Sequence, residues 1–170
     1  RDLWIKNDFW FLVKRGVINT VAKYTTGTVN VTNLSTAITL SSAPAVGLGS
    51  FVGYVFWVLG DIQDNNAVYR ISAHTAGSAS LTLDAAFTGD DNTAATYRIY
   101  QDAYSLPTDV GKVLKVKRFG RDSGIQPIGP RDMADLKTSD QSEGKPSVYT
   151  VEDFATGGME AEVDGLDVFA

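Results

Sequence analysis

A chain of 170 residues with 44% hydrophobic and 11% aromatic residues is long enough for one domain, or a domain carrying a sizeable insertion, and can build a core. Its formal net charge of −5 offers no general attraction to nucleic acid or to an anionic membrane. Cysteine is absent, which removes disulfides, thiolate metal sites and cysteine nucleophiles together; no stretch approaches the ~20 apolar residues of a bilayer span. Secretion is thus unsupported and a soluble, intracellular module is expected, while the opening at Arg1, without an initiator Met or a signal-peptide pattern, reads as a fragment would.

Residues 3–15 are dense in Leu, Trp, Ile and Phe, and Trp4, Ile5, Phe11 and Leu12 fall near a helical repeat. Asp2 is suited to cap such a helix and Gly16 to end it. So short a helix does not stand alone in water, so its aromatic face, Phe9-Trp10-Phe11, is expected to pack on the chain's own core or on a neighbouring subunit.

From Val17 onward short β segments are predicted. Val29 and Val31, Ile38 and Leu40, Tyr69 and Ile71, Leu81 and Leu83, and Tyr97 and Ile99 each alternate with polar residues, the pattern of half-buried strands. The run Phe51–Leu59 reads as a buried strand. Turn-forming clusters lie between, at residues 24–27, 33–36, 61–66, 74–78 and 88–92. Without helical crossovers, this predicts a mainly β (α+β) fold: a small antiparallel sandwich or barrel with an N-terminal helix end.

After Tyr100, Ser105–Asp109 and Gln126–Pro130 are turns, Val113–Phe119 is a basic strand, and Pro130 starts a short helical turn with Met133 and Leu136 on one face. Residues 138–147 are expected as an exposed loop. From Glu152 to Ala170 six acids meet no Lys or Arg, an acidic and loosely held strand or tail. The expected organisation is a helix end at 1–16, a β-rich domain at 17–150 with 25–96 as a candidate β insertion, and an acidic segment at 151–170.

Little catalytic chemistry is legible. His74 is the only histidine, it falls in a predicted turn, and no G-x-S-x-G elbow accompanies it. One histidine without cysteine does not found a zinc site unless carboxylates complete it. The oxygen-rich stretches holding Asp61 and Asp64, and Asp90 and Asp91, lack the EF-hand order, and Asn and Asp favour turns for backbone reasons alone. Gly47-Leu-Gly49 with Gly53 has the wrong spacing for a dinucleotide loop, and two glycosylation sequons at Asn30 and Asn33 carry no weight without secretion. No enzyme activity and no cofactor or metal are expected. Lys112, Lys115, Lys117, Arg118 and Arg121 form a basic strip uninterrupted by acids. The plain reading is a solvated outer face; the functional one is a strip facing DNA or an acidic partner surface, for which the acidic C-terminal end, within the chain or on the next subunit, is a candidate.

The order of these segments carries a resemblance. Asp8-Phe-Trp-Phe-Leu-Val-Lys-Arg-Gly16, Val21–Thr32, Tyr69-Arg-Ile71, Ser80-Leu-Thr-Leu-Asp84, Tyr97-Arg-Ile-Tyr100, Tyr104–Asp109 and Gly144–Tyr149 together resemble tailed-bacteriophage virion proteins. That family comprises head–tail connectors and adaptors of the neck, related to the tail tubular protein A of short-tailed phages. The resemblance implies a structural protein without catalysis, forming a homo-oligomeric ring between portal and tail proteins around the DNA channel. It also implies a virion location after assembly in the host cytoplasm, non-specific contact with channel DNA, and no membrane. Phe9, Trp10, Phe11, Asp61, Asp64, Asp90 and Asp91 are then candidate subunit contacts. The chain departs from the family at Ser42–Val46, where the family commonly has a Thr-Trp pair, and after Tyr149. The alternative is a carbohydrate- or receptor-binding module of a tail fibre, which needs exposed rings such as Trp57, Tyr54 or Tyr104 to stack on sugars.

Overall fold

Alternation decides most of the strands. The computed structural model describes residues 15–59, 67–107, 110, 113–117, 124–133, 148–154 and 158–163, of which 152–154 and 158–163 by their backbone alone. They belong to two compact units, Val21–Gln101 and the chain that flanks it on both sides.

Seven strands make the first unit: β1 (Val29–Val31), β2 (Ala37–Leu40), β3 (Val55–Val58), β4 (Val68–His74), β5 (Ser80–Leu83), β6 (Asn92–Ala95) and β7 (Tyr97–Tyr100). They form one antiparallel sheet in the order β6-β1-β2-β5-β4-β3-β7. The two outermost strands are consecutive in the chain, with only Thr96 between them. Tyr24 bridges Ile99, through N–H···O distances of 2.8 and 2.9 Å, and Val29 and Val31 pair with Ala95 and Asn92. One bent stretch, Asn92–Tyr100, therefore joins both ends of the sheet, which curls into a nearly closed barrel. Such near-closure shortens the unpaired edges that otherwise invite aggregation, and Tyr24 covers part of the β7 edge. Within it β3, β4 and β5 are successive neighbours and β7 returns beside β3, a Greek-key order.

The barrel interior is filled by the residues that the alternation marks. Val29, Val31, Ile38, Leu40, Ile71, Leu81, Leu83 and Ile99 are all buried, around Phe56, Phe87 and Tyr97. Each such side chain contributes roughly 1.5–3 kcal/mol by leaving water. β3 differs, being buried along its whole length. Phe56 and Val58 join the interior cluster, so Val55 and Trp57 take the outer face. There Arg98 lies 5.3 Å from the Trp57 ring centroid, a cation–π contact.

The second unit holds β8 (Ala103–Ser105), β9 (Val116–Lys117), β10 (Gly124–Pro127), β11 (Val148–Phe154) and β12 (Gly158–Val163), in the order β8-β12-β11-β10-β9. β11 and β12 are an antiparallel hairpin, whereas β10 and β11 run parallel. Ile125, Tyr149 and Tyr104 are buried on one face of this sheet, and Met133, in the helical turn that Pro130 opens, is buried too.

The mainly β, barrel-like architecture agrees with the alternation. Some details differ from expectation. The acidic segment after Tyr149, expected as a loosely held strand or tail, forms a paired hairpin through Val163, with Glu160 and Glu162 alternating with Met159, Ala161 and Val163. Gln126 and Pro127, expected in a turn, lie in β10. A parallel pair also occurs, joined across residues 128–147. His74 ends β4 and is not a turn residue. The helix expected at residues 3–15 and the side chain of Leu136 lie outside the described residues. No helix among those described is long and apolar enough to cross a membrane.

Candidate functional site

The barrel has two worked ends. At one, His74 ties two connections together. The Phe51 N–H donates to its Nδ1 at 3.0 Å, and its Nε2 lies 3.1 Å from the Ser78 carbonyl. A carbonyl only accepts, so Nε2 carries the proton and the ring is the neutral tautomer. The ring stacks on Phe51 with centroids 4.9 Å apart, and Ser50 Oγ donates to the His74 carbonyl at 2.8 Å. With both nitrogens engaged by main chain, this histidine positions a loop. That loop, with a 3-10 turn at Val46–Leu48, presents Val46, Leu48 and Val52 to solvent, Val46 at 72% exposure. No charged residue occurs from Tyr24 through Gly60, and the charge that reaches this loop comes from Arg70, whose guanidinium donates to the Gly53 carbonyl at 2.9 Å.

At the other end Asn33 is the organiser. Its main-chain N–H donates to Asp91 Oδ1 at 2.6 Å, and its side-chain amide donates to the Gly89 carbonyl at 2.7 Å. Leu34, 76% exposed, takes a φ of 58°, which non-glycine residues rarely adopt. The Leu34 N–H is fixed by the Phe87 carbonyl at 2.8 Å.

Of the residues nominated from sequence, Asp90 and Asp91 lie at this second end, and both are exposed. Lys115 and Lys117 are exposed at β9 in the other unit, beside an exposed Leu114. Phe9, Trp10, Phe11, Asp61, Asp64, Lys112, Arg118 and Arg121 fall outside the described residues. The rings that a sugar would stack on are withdrawn: Trp57 and Tyr104 are buried and Tyr54 is half-buried, and burial raises the Tyr54 phenol pKa.

Among the described residues no group of three or more His, Asp or Glu side chains is placed to hold a metal ion. A groove of about 340 Å³ in the second unit is lined by Val113, Pro127, Ile128, Pro130, Val151 and the hydroxyl-bearing Tyr149 and Thr150, surfaces suited to contact more than to proton transfer. The tip Val46–Val52 and the Asn33 clamp escaped sequence reading. The available signals were the charge-free run and an Asn preceding a turn, and neither names its partner across the barrel. The comparisons are silent. No family model, no curated protein and no solved structure matches the chain.

Proposed function

We propose that this chain is a structural virion protein of a tailed phage, forming a ring at the head–tail junction that links portal to tail and surrounds the DNA channel. The order of segments from Asp8 to Tyr149 carries this reading. The build supports it: a barrel whose chain enters at Tyr24 and leaves beside it at Ile99 is a stiff block, and in the sequence it interrupts a second unit. Rings grow from repeated heterologous contacts, and exposed apolar points such as Val46, Leu48 and Leu34 are the kind of surface such contacts cover. The exposed Lys115 and Lys117 suit a channel wall or a subunit seam.

The test is the mass of the purified full chain by light scattering, with negative-stain imaging, alone and with portal rings added. Closed rings of many subunits are expected. A monomer or trimer that ignores portal rings and binds glycans would replace this reading with that of a fibre module.

A further inference from the structure

The five-stranded sheet is polarised in charge along one face. Lys117 stands opposite Gly124, and Gln126, on the same side of β10, stands opposite Val148. Counting by twos along β11 reaches Thr150 and Glu152, and the hairpin register sets Glu162 opposite Thr150 and Glu160 opposite Glu152. Lys115, Lys117, Glu152, Glu160 and Glu162 thus occupy positions of one face, the lysines at its β9 edge and the glutamates toward the opposite corner.

Within one chain these positions do not meet. Gly124 lies two residues before Gln126 and Glu152 four after Val148, so roughly 20 Å along the strands and ~10 Å across them separate Lys117 from Glu152. The nearer Lys115, level with Gln126, stands roughly 13 Å along and ~10 Å across from it. Both separations exceed the screening length of ~10 Å at 0.1 M salt. A chain of net charge −5 repels its own copies, so self-contact is favoured where a local positive strip meets a local negative one. The middle of the face is already covered, since Thr150, between the two corners, is only 1% exposed. At the two corners Ser105, which the register sets opposite Glu160, and Lys115 and Lys117 are exposed.

We propose that the basic β9 edge of one copy docks on the acidic β11–β12 corner of the next, head to tail. The occupant of each patch is a second copy of this chain. The inference rests on the ring reading and supplies its seam.

Full-length chains in light and heavy nitrogen are mixed and treated with a carbodiimide, which joins amines to carboxylates without a spacer. Light-to-heavy links from Lys115 or Lys117 to Glu152, Glu160 or Glu162 are expected. Lys115→Glu with Lys117→Glu removes the reacting amines and these links with them, and adding Glu160→Lys with Glu162→Lys should give links between the exchanged positions, which a misfolded variant would not do. Links confined to single copies, or mixed links only elsewhere, overturn the seam. Large rings that form regardless of the charge reversals overturn the seam and leave the ring reading intact. Mixed links at the seam without any large species keep the contact and remove the ring.

Discussion

At the scale of single residues, His74 and Tyr97 show polar atoms fixing an apolar barrel. His74→Ala removes the acceptor for the Phe51 N–H and a stacked ring, and should lower stability by roughly 2–3 kcal/mol. Urea unfolding should show an earlier midpoint with an unchanged slope; an unaltered midpoint would mean that the loop holds without its latch. Tyr97 donates to the Thr26 carbonyl at 2.8 Å from a 1% exposed ring. Burial, and then the neighbouring Tyr24, push its phenol pKa well above the ordinary value. The folded state therefore keeps a proton that the unfolded chain releases near pH 10. The associated stability is fully present below about pH 10 and is lost as pH rises beyond it, by up to ~1.4 kcal/mol per pH unit. Tyr97→Phe should flatten this alkaline slope between pH 10 and 11.5; an equal slope in both proteins would place the titrating group elsewhere.

At the scale of elements, the connections are built as tightly as the strands. Gly77 has a φ of 79°, and a Cβ there would meet Val46 Cγ2 at 2.7 Å. Gly77→Ala combines left-handed backbone strain with that overlap and should cost about 1–3 kcal/mol, read as a lower thermal midpoint. Restoring the midpoint by Val46→Ala in the same chain would identify the overlap as the cause, whereas no recovery would leave backbone strain alone. The interior strand positions needed no such partners to be found, because alternation is local: the buried pairs from Val29/Val31 to Tyr97/Ile99 are legible in any window of five residues. The hairpin of β11 and β12 was less legible. Its adjacent acids Glu152 and Asp153 break the alternation in β11, and only antiparallel pairing joins the two short runs.

At the scale of the whole molecule, the bridge between Tyr24 and Ile99 means that the barrel's two ends leave it side by side. Val21–Gln101, produced alone, should fold cooperatively with the near-ultraviolet dichroism of packed aromatic rings. A disordered product would show that the flanking unit is needed for closure. The barrel contains 8 of the chain's 35 charged residues, so charge-dependent assembly is expected to depend on the flanking unit. High salt should accordingly weaken association without unfolding the barrel, since burial of its interior is not a charge effect.

Composition and period-two alternation were sufficient to establish a β-rich chain with a barrel or sandwich core, because burial of every second side chain is written into local order. Closure through Asn92–Tyr100, the placement of Trp57 on the outer face, and the pairing of Asn33 with Asp91 and of Phe51 with His74 emerged only in three dimensions. These depend on which distant strands become neighbours, and no local periodicity encodes that choice. The same holds for the charge-polarised face: basic and acidic runs are plain in the chain, but their distance and shared side follow from the register of β9 to β12.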